Sequence, residues 1–275
     1  MSDWWKLRRV LITGHCGFVG TNLVDALDEK EADISGLDVR AGGVDIQARA
    51  EVSDWIKQIR PQIVYHLAGY GHIADSHERP GDAFSVNVLG TVNLLEAVRQ
   101  WSPKAYVVVA SSNEVYPGGP LLWSEDQEPE PRTFYGWTKA CQDKATRAYA
   151  KTFGIKAVCL RHTNSIGPKN PHRSHLVQSI IAAIMAGRPI EFRSDGTPRK
   201  AYIHVADTCA AYMRLALGLA NGEVAPGTAW NASLDECPSV LSIAERLVRL
   251  AGAKTQIRVG EASEETGYQQ RLNST

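Results

Sequence analysis

The 275 residues contain no Cys-x-x-Cys pair and no run of apolar residues long enough to span a bilayer. The five cysteines (Cys16, Cys141, Cys159, Cys209, Cys237) lie far apart. That spacing excludes a disulfide framework and a structural zinc module, and it fits reduced thiols in a cytoplasmic protein. Neither sign of charge is in excess: Lys and Arg number 30, Asp and Glu 30, for a formal net charge of zero. Nucleic acid therefore has no electrostatic footprint here, and no membrane partner is expected. The N-terminus has no long apolar segment and no small-residue cleavage site, so no signal peptide is expected. Repeats and low-complexity segments are also lacking. What remains is an ordinary globular composition, 44% hydrophobic and 22% charged, with enough chain for a large core.

Short apolar runs alternate with segments of helical period. Residues 8–13, 33–38, 62–67, 104–111 and 156–161 read as buried strands. Residues 18–30, 51–60, 82–101 and 134–153 read as the helices between them. Continuous apolar strands alternating with helices predict an α/β fold, a Rossmann-type doubly wound parallel sheet, over residues 1–166. Beyond residue 167 the rhythm changes. Prolines punctuate short helices (174–186, 206–220, 240–251) and short strands (190–192, 202–204, 229–232), which reads as a smaller C-terminal lobe over 167–275.

The loop Gly14-His15-Cys16-Gly17-Phe18-Val19-Gly20 follows the first strand and opens the first helix. Its glycines allow a tight turn, close backbone approach to a pyrophosphate, and close packing of helix on strand. Asp38 ends the second strand some 20 residues on, where an acid can bind the adenosine ribose hydroxyls and repel a 2′-phosphate. This favours NAD over NADP. Arg40 stands close by and could receive that phosphate. Cys16 is either a packed thiol or one at a helix N-terminus.

Tyr135 and Lys139 are four apart at the start of a helix, hence on one face. A phenol with its ordinary pKa of about 10 is a poor base at neutral pH. A nearby ammonium and a helix N-terminus both favour the phenolate, so a lowered pKa is expected at Tyr135. Ser112 ends the fourth strand, at the sheet edge where open α/β folds bind ligands, and could share a substrate hydroxyl with Tyr135.

Taken together, the loop, the strand end Val64–Gly69, the segment 87–98, the motif Ser111-Ser112-Asn113-Glu114-Val115-Tyr116 and Tyr135-Gly136-Trp137-Thr138-Lys139 resemble the extended short-chain dehydrogenase/reductase family. More narrowly they resemble its NAD-dependent nucleotide-sugar epimerase/dehydratase branch, over nearly the whole chain. The resemblance implies cofactor contacts at the glycine loop, Asp38, Arg40, Asp45, Ile46, Leu67, Ala68, Gly69, Asn87, Tyr135 and Lys139. It implies that Asn164, Arg199 and Lys200 hold the diphosphate of a nucleotide-diphosphate sugar. It also implies a homodimer through a four-helix bundle built from segments 82–101 and 134–153. In such enzymes NAD stays bound and takes a hydride from C4 of the sugar, Tyr135 takes the C4 hydroxyl proton, Ser112 shares that bond, and Lys139 holds the nicotinamide ribose. The 4-keto sugar then loses water or regains the hydride on its other face.

Several positions depart from that family. Lys200 stands where an arginine is usual, and a point charge replaces bidentate recognition. The connection between the second and third strands is short, and a helix before Asp45 is expected to be missing. The chain ends at residue 275, where the family commonly continues, so the sugar lobe is expected to be short or truncated. The dehydratases of the family commonly carry Asp-Glu after the catalytic hydroxyl residue, and related dehydratases and decarboxylases carry a neutral residue at the first of these places. Here the pair is Asn113-Glu114, so Glu114 is the candidate base at C5, while the amide of Asn113 cannot act as an acid. The balance favours 4,6-dehydration. The alternatives are 4-epimerisation, decarboxylation of a UDP-glucuronate-type substrate, a dehydrogenase or reductase that releases NAD(P), and a non-enzymatic NAD(P) sensor.

Histidines carry no expected chemistry. His66 is expected to satisfy a buried backbone group. His72 and His77 are expected on a solvated loop, with a substrate or cofactor contact as the alternative. His162 and His204 are expected to pack. His172 and His175 have a ligand-like spacing but no supporting carboxylate or cysteine in the sequence, so no metal is expected. Trp4 and Trp5 are expected at the surface or at an interface.

Overall fold

The computed structural model describes residues 2–119, 122–262, 269–270 and 272. The first part alternates β1 (Arg9–Thr13), α1 (Phe18–Asp28), β2 (Asp33–Leu37), α2 (Arg49–Ile59), β3 (Ile63–His66), the short helices α3 (Ile73–Glu78) and α4 (Pro80–Phe84), then α5 (Gly90–Trp101), β4 (Tyr106–Ala110), α6 (Phe134–Phe153) and β5 (Lys156–His162). There follow β6 (Asn164–Ile166), α7 (Leu176–Met185), β7 (Ile190–Glu191), β8 (Arg199–Lys200), β9 (Tyr202–His204), α8 (Val205–Asn221), β10 (Ala229–Ala232), α9 (Val240–Leu250), β11 (Ile257–Arg258) and β12 (Gln269–Gln270).

Six strands form one sheet in the order β10-β5-β4-β3-β1-β2, with every pairing parallel. The strand order reverses between β1 and β3, so a crevice opens outside their carboxyl ends, where such sheets bind ligands. The period-2 pattern of the strands splits the core between the two faces. Val10 and Ile12 of β1 and Val108 of β4 pack with Leu23 and Leu27 of α1 and Tyr212 and Leu215 of α8. Leu11, Val107 and Val109 pack on the opposite face with Val52 and Ile56 of α2 and Leu94 and Val98 of α5. The doubly wound α/β fold expected from the sequence is the fold observed.

Several expectations change in detail. The helix over 82–101 is interrupted by a π turn, Ser85–Leu89, between α4 and α5. The turn lets Asn87 reach the loop after β3, and π turns recur where a helix is bent to such a task. Strand β10, expected in the smaller lobe, pairs with β5 and completes the main sheet. Between β2 and α2 there is a single 3₁₀ turn, Val39–Ala41, and β2 is left as the sheet edge. Trp5 is buried at 4% exposure, stacked edge-on against Trp4 with ring centres 4.5 Å apart. The pair closes one end of the core rather than lying at the surface. His77 is exposed, as expected, but on helix α3 rather than on a loop. Among the described residues no helix is long and apolar enough to cross a membrane.

Candidate active site

The loop after β1 is shaped by close approach. Gly14 has φ +73°, and a Cβ on it would lie 2.7 Å from the Ala68 backbone nitrogen at the end of β3. A Cβ on Gly20 would lie 2.2 Å from the Gly14 carbonyl. Only glycine at both positions lets α1 start this close to β1 and β3. Gly17 precedes α1 without any side-chain cap. The first N–H groups of the helix, at Phe18 and Val19, therefore keep their donor capacity for an anion and face it with the positive end of the helix dipole.

Asp38, 5% exposed, stands beside this loop. Its Oδ2 accepts the Cys16 N–H at 3.1 Å. Arg40 grips both carboxylate oxygens, Nε to Oδ1 at 3.1 Å and Nη2 to Oδ2 at 2.9 Å. Burial pushes the Asp38 pKa up, but the hydrogen bonds and charge of Arg40, with the Cys16 N–H, outweigh it and hold the carboxyl below its ordinary range. Arg40 is half exposed, so its guanidinium can swing away and release the carboxylate to ribose hydroxyls. A glycine cradle, an uncapped helix N-terminus and a buried carboxylate together fit the pyrophosphate and adenosine ribose of a dinucleotide. Cys16 is partly exposed, with Sγ 3.5 Å from the His15 Nε2, rather than packed in the core. Asp45 caps its own turn through Gln47. Ile46 is buried against Gly90, where a Cβ would meet it at 2.6 Å.

Ser112, Asn113 and Glu114 leave the end of β4 as a 3₁₀ turn in which the Ser112 Oγ accepts the Glu114 N–H at 3.1 Å. Helix α6 begins directly against that turn. Thr133 caps it by accepting the Gly136 N–H, and a Cβ on Gly136 would lie 2.4 Å from the Glu114 carbonyl. This contact places Tyr135 beside the turn, where Ser112 and the charge of Glu114 both act on its phenol. Burial, and then the charge of Glu114, push the Tyr135 pKa up to about 12, against the hydrogen bond from Ser112. The expected lowering is therefore absent in the ligand-free chain. The reason lies in Lys139, whose Nζ turns to the Ala110 carbonyl (2.8 Å) and to the Gln142 Oε1 (2.7 Å). Burial brings the Lys139 pKa down to about 8.

Lys139 is held by a chain of groups that sequence reasoning missed. The Gln142 Nε2 donates to the Thr91 Oγ1 at 2.8 Å, and Thr91 donates to the Asn87 carbonyl. His66 sits between the Thr13 and Thr91 hydroxyls at 2.7 and 2.8 Å. It links two side chains rather than a backbone group, because its ring spans the gap between β1 and α5. Burial and the Lys139 charge push its pKa down to about 3, so it is neutral. One tautomer satisfies every bond: Nε2–H donates to Thr91, and Nδ1 accepts from Thr13. The spacing of Gln142 from Lys139, three residues on one helix face, was the available sequence signal. Asn87 is fully buried, accepting the Tyr70 N–H and donating to the Thr138 Oγ1. It thereby fixes the loop Leu67-Ala68-Gly69 that borders Lys139.

The residues expected at the diphosphate lie on β6 and β8. Asn164 donates to the Ala201 carbonyl at 3.3 Å and pairs across from Tyr202, which sets it beside Lys200. The Arg199 guanidinium instead donates to the Cys237 carbonyl. His204 caps α8, accepting the Ala206 N–H; it is exposed rather than packed, because the chain turns there into the helix. His162 packs edge-on against Tyr212.

A profile of the NAD dependent epimerase/dehydratase family matches residues 10–232. The chain is 27% identical to a dTDP-4-dehydro-6-deoxy-D-allose reductase of a Streptomyces species over 98% of this chain and 89% of that protein. It is 26% identical to the CDP-glucose 4,6-dehydratase of Salmonella typhimurium over 91% of this chain and 78% of the relative. The solved Thermus thermophilus UDP-glucose 4-epimerase, in complex with NAD, superposes with a TM-score of 0.83 at 26% identity, covering 97% of this chain and 90% of that one.

Proposed function

The chain belongs to the NAD-dependent epimerase/dehydratase family, and from that membership we propose that it oxidises C4 of the sugar of a nucleotide-diphosphate sugar, removes water across C5 and C6, and returns the same hydride to C6 with a proton added at C5, which leaves a 4-keto-6-deoxy sugar. The observation that carries the reading is the close packing of Gly136, next to Tyr135, on the turn that carries Ser112 and Glu114. NAD supplies the hydride acceptor when bound. The glycine loop 14–20 and the start of α1 hold its pyrophosphate, and Asp38 holds its adenosine ribose. Tyr135 takes the C4 hydroxyl proton, and Ser112 orients that hydroxyl. Lys139, held by Gln142, supplies a donor on the same helix face. Asn164 and Lys200 receive the diphosphate.

A ketone at C4 acidifies the C5 proton. Glu114, in the same turn as Ser112, removes it in this reading. Asn113, 6% exposed, has an amide nitrogen without a hydrogen-bond partner. An amide donates a hydrogen bond but gives up no proton, so the carboxyl of Glu114, protonated by its first step, must also protonate the departing C6 hydroxyl. Glu114→Gln is expected to lower dehydration by about 10²–10⁴-fold, the usual contribution of a general base, with C4 oxidation retained and reduced cofactor accumulating in its near-ultraviolet absorption. An unaltered dehydration rate would remove Glu114 from the chemistry. The neutral Asn113 also favours a second reading, in which reaction is confined to C4 as epimerisation or reduction and Glu114 only orients the sugar.

The same reading assigns residues 1–166 as the cofactor-binding part and 167–275 as the nucleotide-sugar lobe, intertwined with the first part through α8 and β10, in a cytoplasmic homodimer. Five free cysteines support the compartment. Leu89, beside α5, and Trp137 and Phe153 of α6 are large apolar side chains left exposed, which supports pairing of these helices across a two-fold axis. Light scattering is expected to give twice the 30.1 kDa chain mass; a monomer at micromolar concentration would contradict the dimer.

A further inference from the structure

Three histidines from two distant segments meet at the rim of the crevice. His72 precedes α3, and His172 and His175 lie in the loop that leads into α7. The ring centres are 4.8 Å apart for His72 and His172, 4.7 Å for His72 and His175, and 4.9 Å for His172 and His175. One nitrogen of each lies within 4.8 Å of the others, and all three rings are partly exposed. The sequence shows only the His172/His175 spacing, because nothing local brings His72, a hundred residues earlier, to the same place.

The segment that carries His172 and His175 is tied down at its start. The Asn22 Nδ2 of α1 donates to the Pro168 carbonyl at 3.1 Å, and Lys169 pairs with Asp25 of α1. The segment thus runs from α1 across to the loop after β3, close enough to the cofactor loop for His172 to feel the Arg40 charge.

We propose that His72, His172 and His175 form a binding site for a divalent transition metal of the zinc class, which joins the 168–175 segment to the loop after β3. Imidazole nitrogens suit Zn, Co, Ni and Cu, whereas Mg and Ca prefer oxygen. Three imidazoles with a fourth position left to water is a familiar zinc geometry. Zn–N bonds of about 2.0–2.1 Å place ligand nitrogens about 3.3 Å apart, so side-chain rotations that close the triangle by about 1.5 Å complete it. Asn170 is poised beside the site. Its Oδ1 accepts the His172 backbone N–H at 3.0 Å, which turns its amide nitrogen toward the His175 Nδ1 at 3.2 Å. The amide thereby marks Nδ1 as a lone pair, which a metal takes in its place. A second group, His15, Cys16 and Asp38, also has ligand-like proximity, but Arg40 occupies its carboxylate.

The test is titration of the untagged, metal-free full chain with Co²⁺, read by the visible absorption of tetrahedral cobalt, and with Zn²⁺ in competition. One equivalent is expected to bind at micromolar or tighter affinity. His72→Ala and His175→Ala, each checked for native circular dichroism, are expected to weaken binding by about 100-fold, the scale of lost ligation. Cys16→Ser is expected to leave it unchanged. Absence of one-equivalent binding below about 100 μM, or undiminished binding in both histidine variants, would overturn the proposal. These variants leave Tyr135, Ser112 and Glu114 untouched, so either outcome is separate from the proposed reaction.

Discussion

Tyr135→Phe is expected to lower turnover by about 10²–10⁴-fold, the range of a lost general acid–base group, while NAD binding stays within a few-fold of the wild type. The substitution removes one hydroxyl. That hydroxyl is the group whose acidity burial, Ser112 and Glu114 set. Tyr116, which follows the same turn, cannot replace it, because its hydroxyl is engaged by Arg161 and Asn231. The Phe ring remains to fill the place at the start of α6. The cradle for the pyrophosphate is built elsewhere, by the contacts of Gly14 and Gly20 with the ends of β1 and β3, so the cofactor has no reason to leave. Burial pushes the phenol to about 12 in the ligand-free chain, so its proton is on at neutral pH and the basic form grows as pH rises. The wild-type rate of C4 oxidation is therefore expected to climb with pH, and the residual rate of the variant to lose that slope. Turnover is read by product formation, and binding by titration calorimetry. Unchanged turnover would remove the assigned role of Tyr135, and lost NAD binding would make it a structural residue.

Arg161→Ala is expected to destabilise the chain by about 3–5 kcal/mol, the cost of stripping one partner from a buried ion pair. Arg161 of β5 is fully buried. Its Nε and Nη2 each lie 2.9 Å from a separate oxygen of Asp143, itself fully buried on α6. Its Nη1 donates to the Tyr116 hydroxyl at 2.7 Å, and the guanidinium sits over the Tyr116 ring, which stacks on Trp123. Without Arg161 the strongest remaining ion pair of the Asp143 carboxylate is the Arg147 contact at 3.7 Å. At about 2–4 °C per kcal/mol for a chain of this size, the thermal midpoint is expected to fall by roughly 10 °C. The consequence reaches the site, because Tyr116 directly follows the turn that carries Glu114. The double variant Arg161→Met/Asp143→Leu is expected to recover part of the loss, since it leaves no charge stranded. A midpoint shift of less than about 2 °C in Arg161→Ala would mean that solvent reaches Asp143 and the pair holds little.

Much of this is legible in the sequence because the signals are local. The strands β1, β3, β4 and β5 are continuous apolar runs, and the glycine loop, Asp38, Ser112 and the Tyr135/Lys139 pair all sit at strand ends or on one helix face. The family resemblance carried by those motifs is matched by the family profile over residues 10–232. What the sequence hides is long-range. Nothing near Asn87 announces that its side chain must reach Tyr70, so its segment has the pattern of one continuous helix although a π turn breaks it. The link from His66 through Thr91 and Gln142 to Lys139 joins β3, α5 and α6, and the triangle of His72, His172 and His175 needs two loops a hundred residues apart. The Tyr135 pKa departs from expectation for a related reason. Spacing places Lys139 on the correct face, but Gln142 and the Ala110 carbonyl decide where its ammonium points.

The most direct measurement is incubation of the purified chain and NAD⁺ with a panel of UDP-, GDP-, CDP- and dTDP-sugars, read by mass spectrometry and NMR. One of them is expected to yield a product lighter by one water and carrying a ketone at C4. Cofactor that remains bound while every sugar keeps its mass, its C4 configuration and its oxidation state would contradict the proposed chemistry.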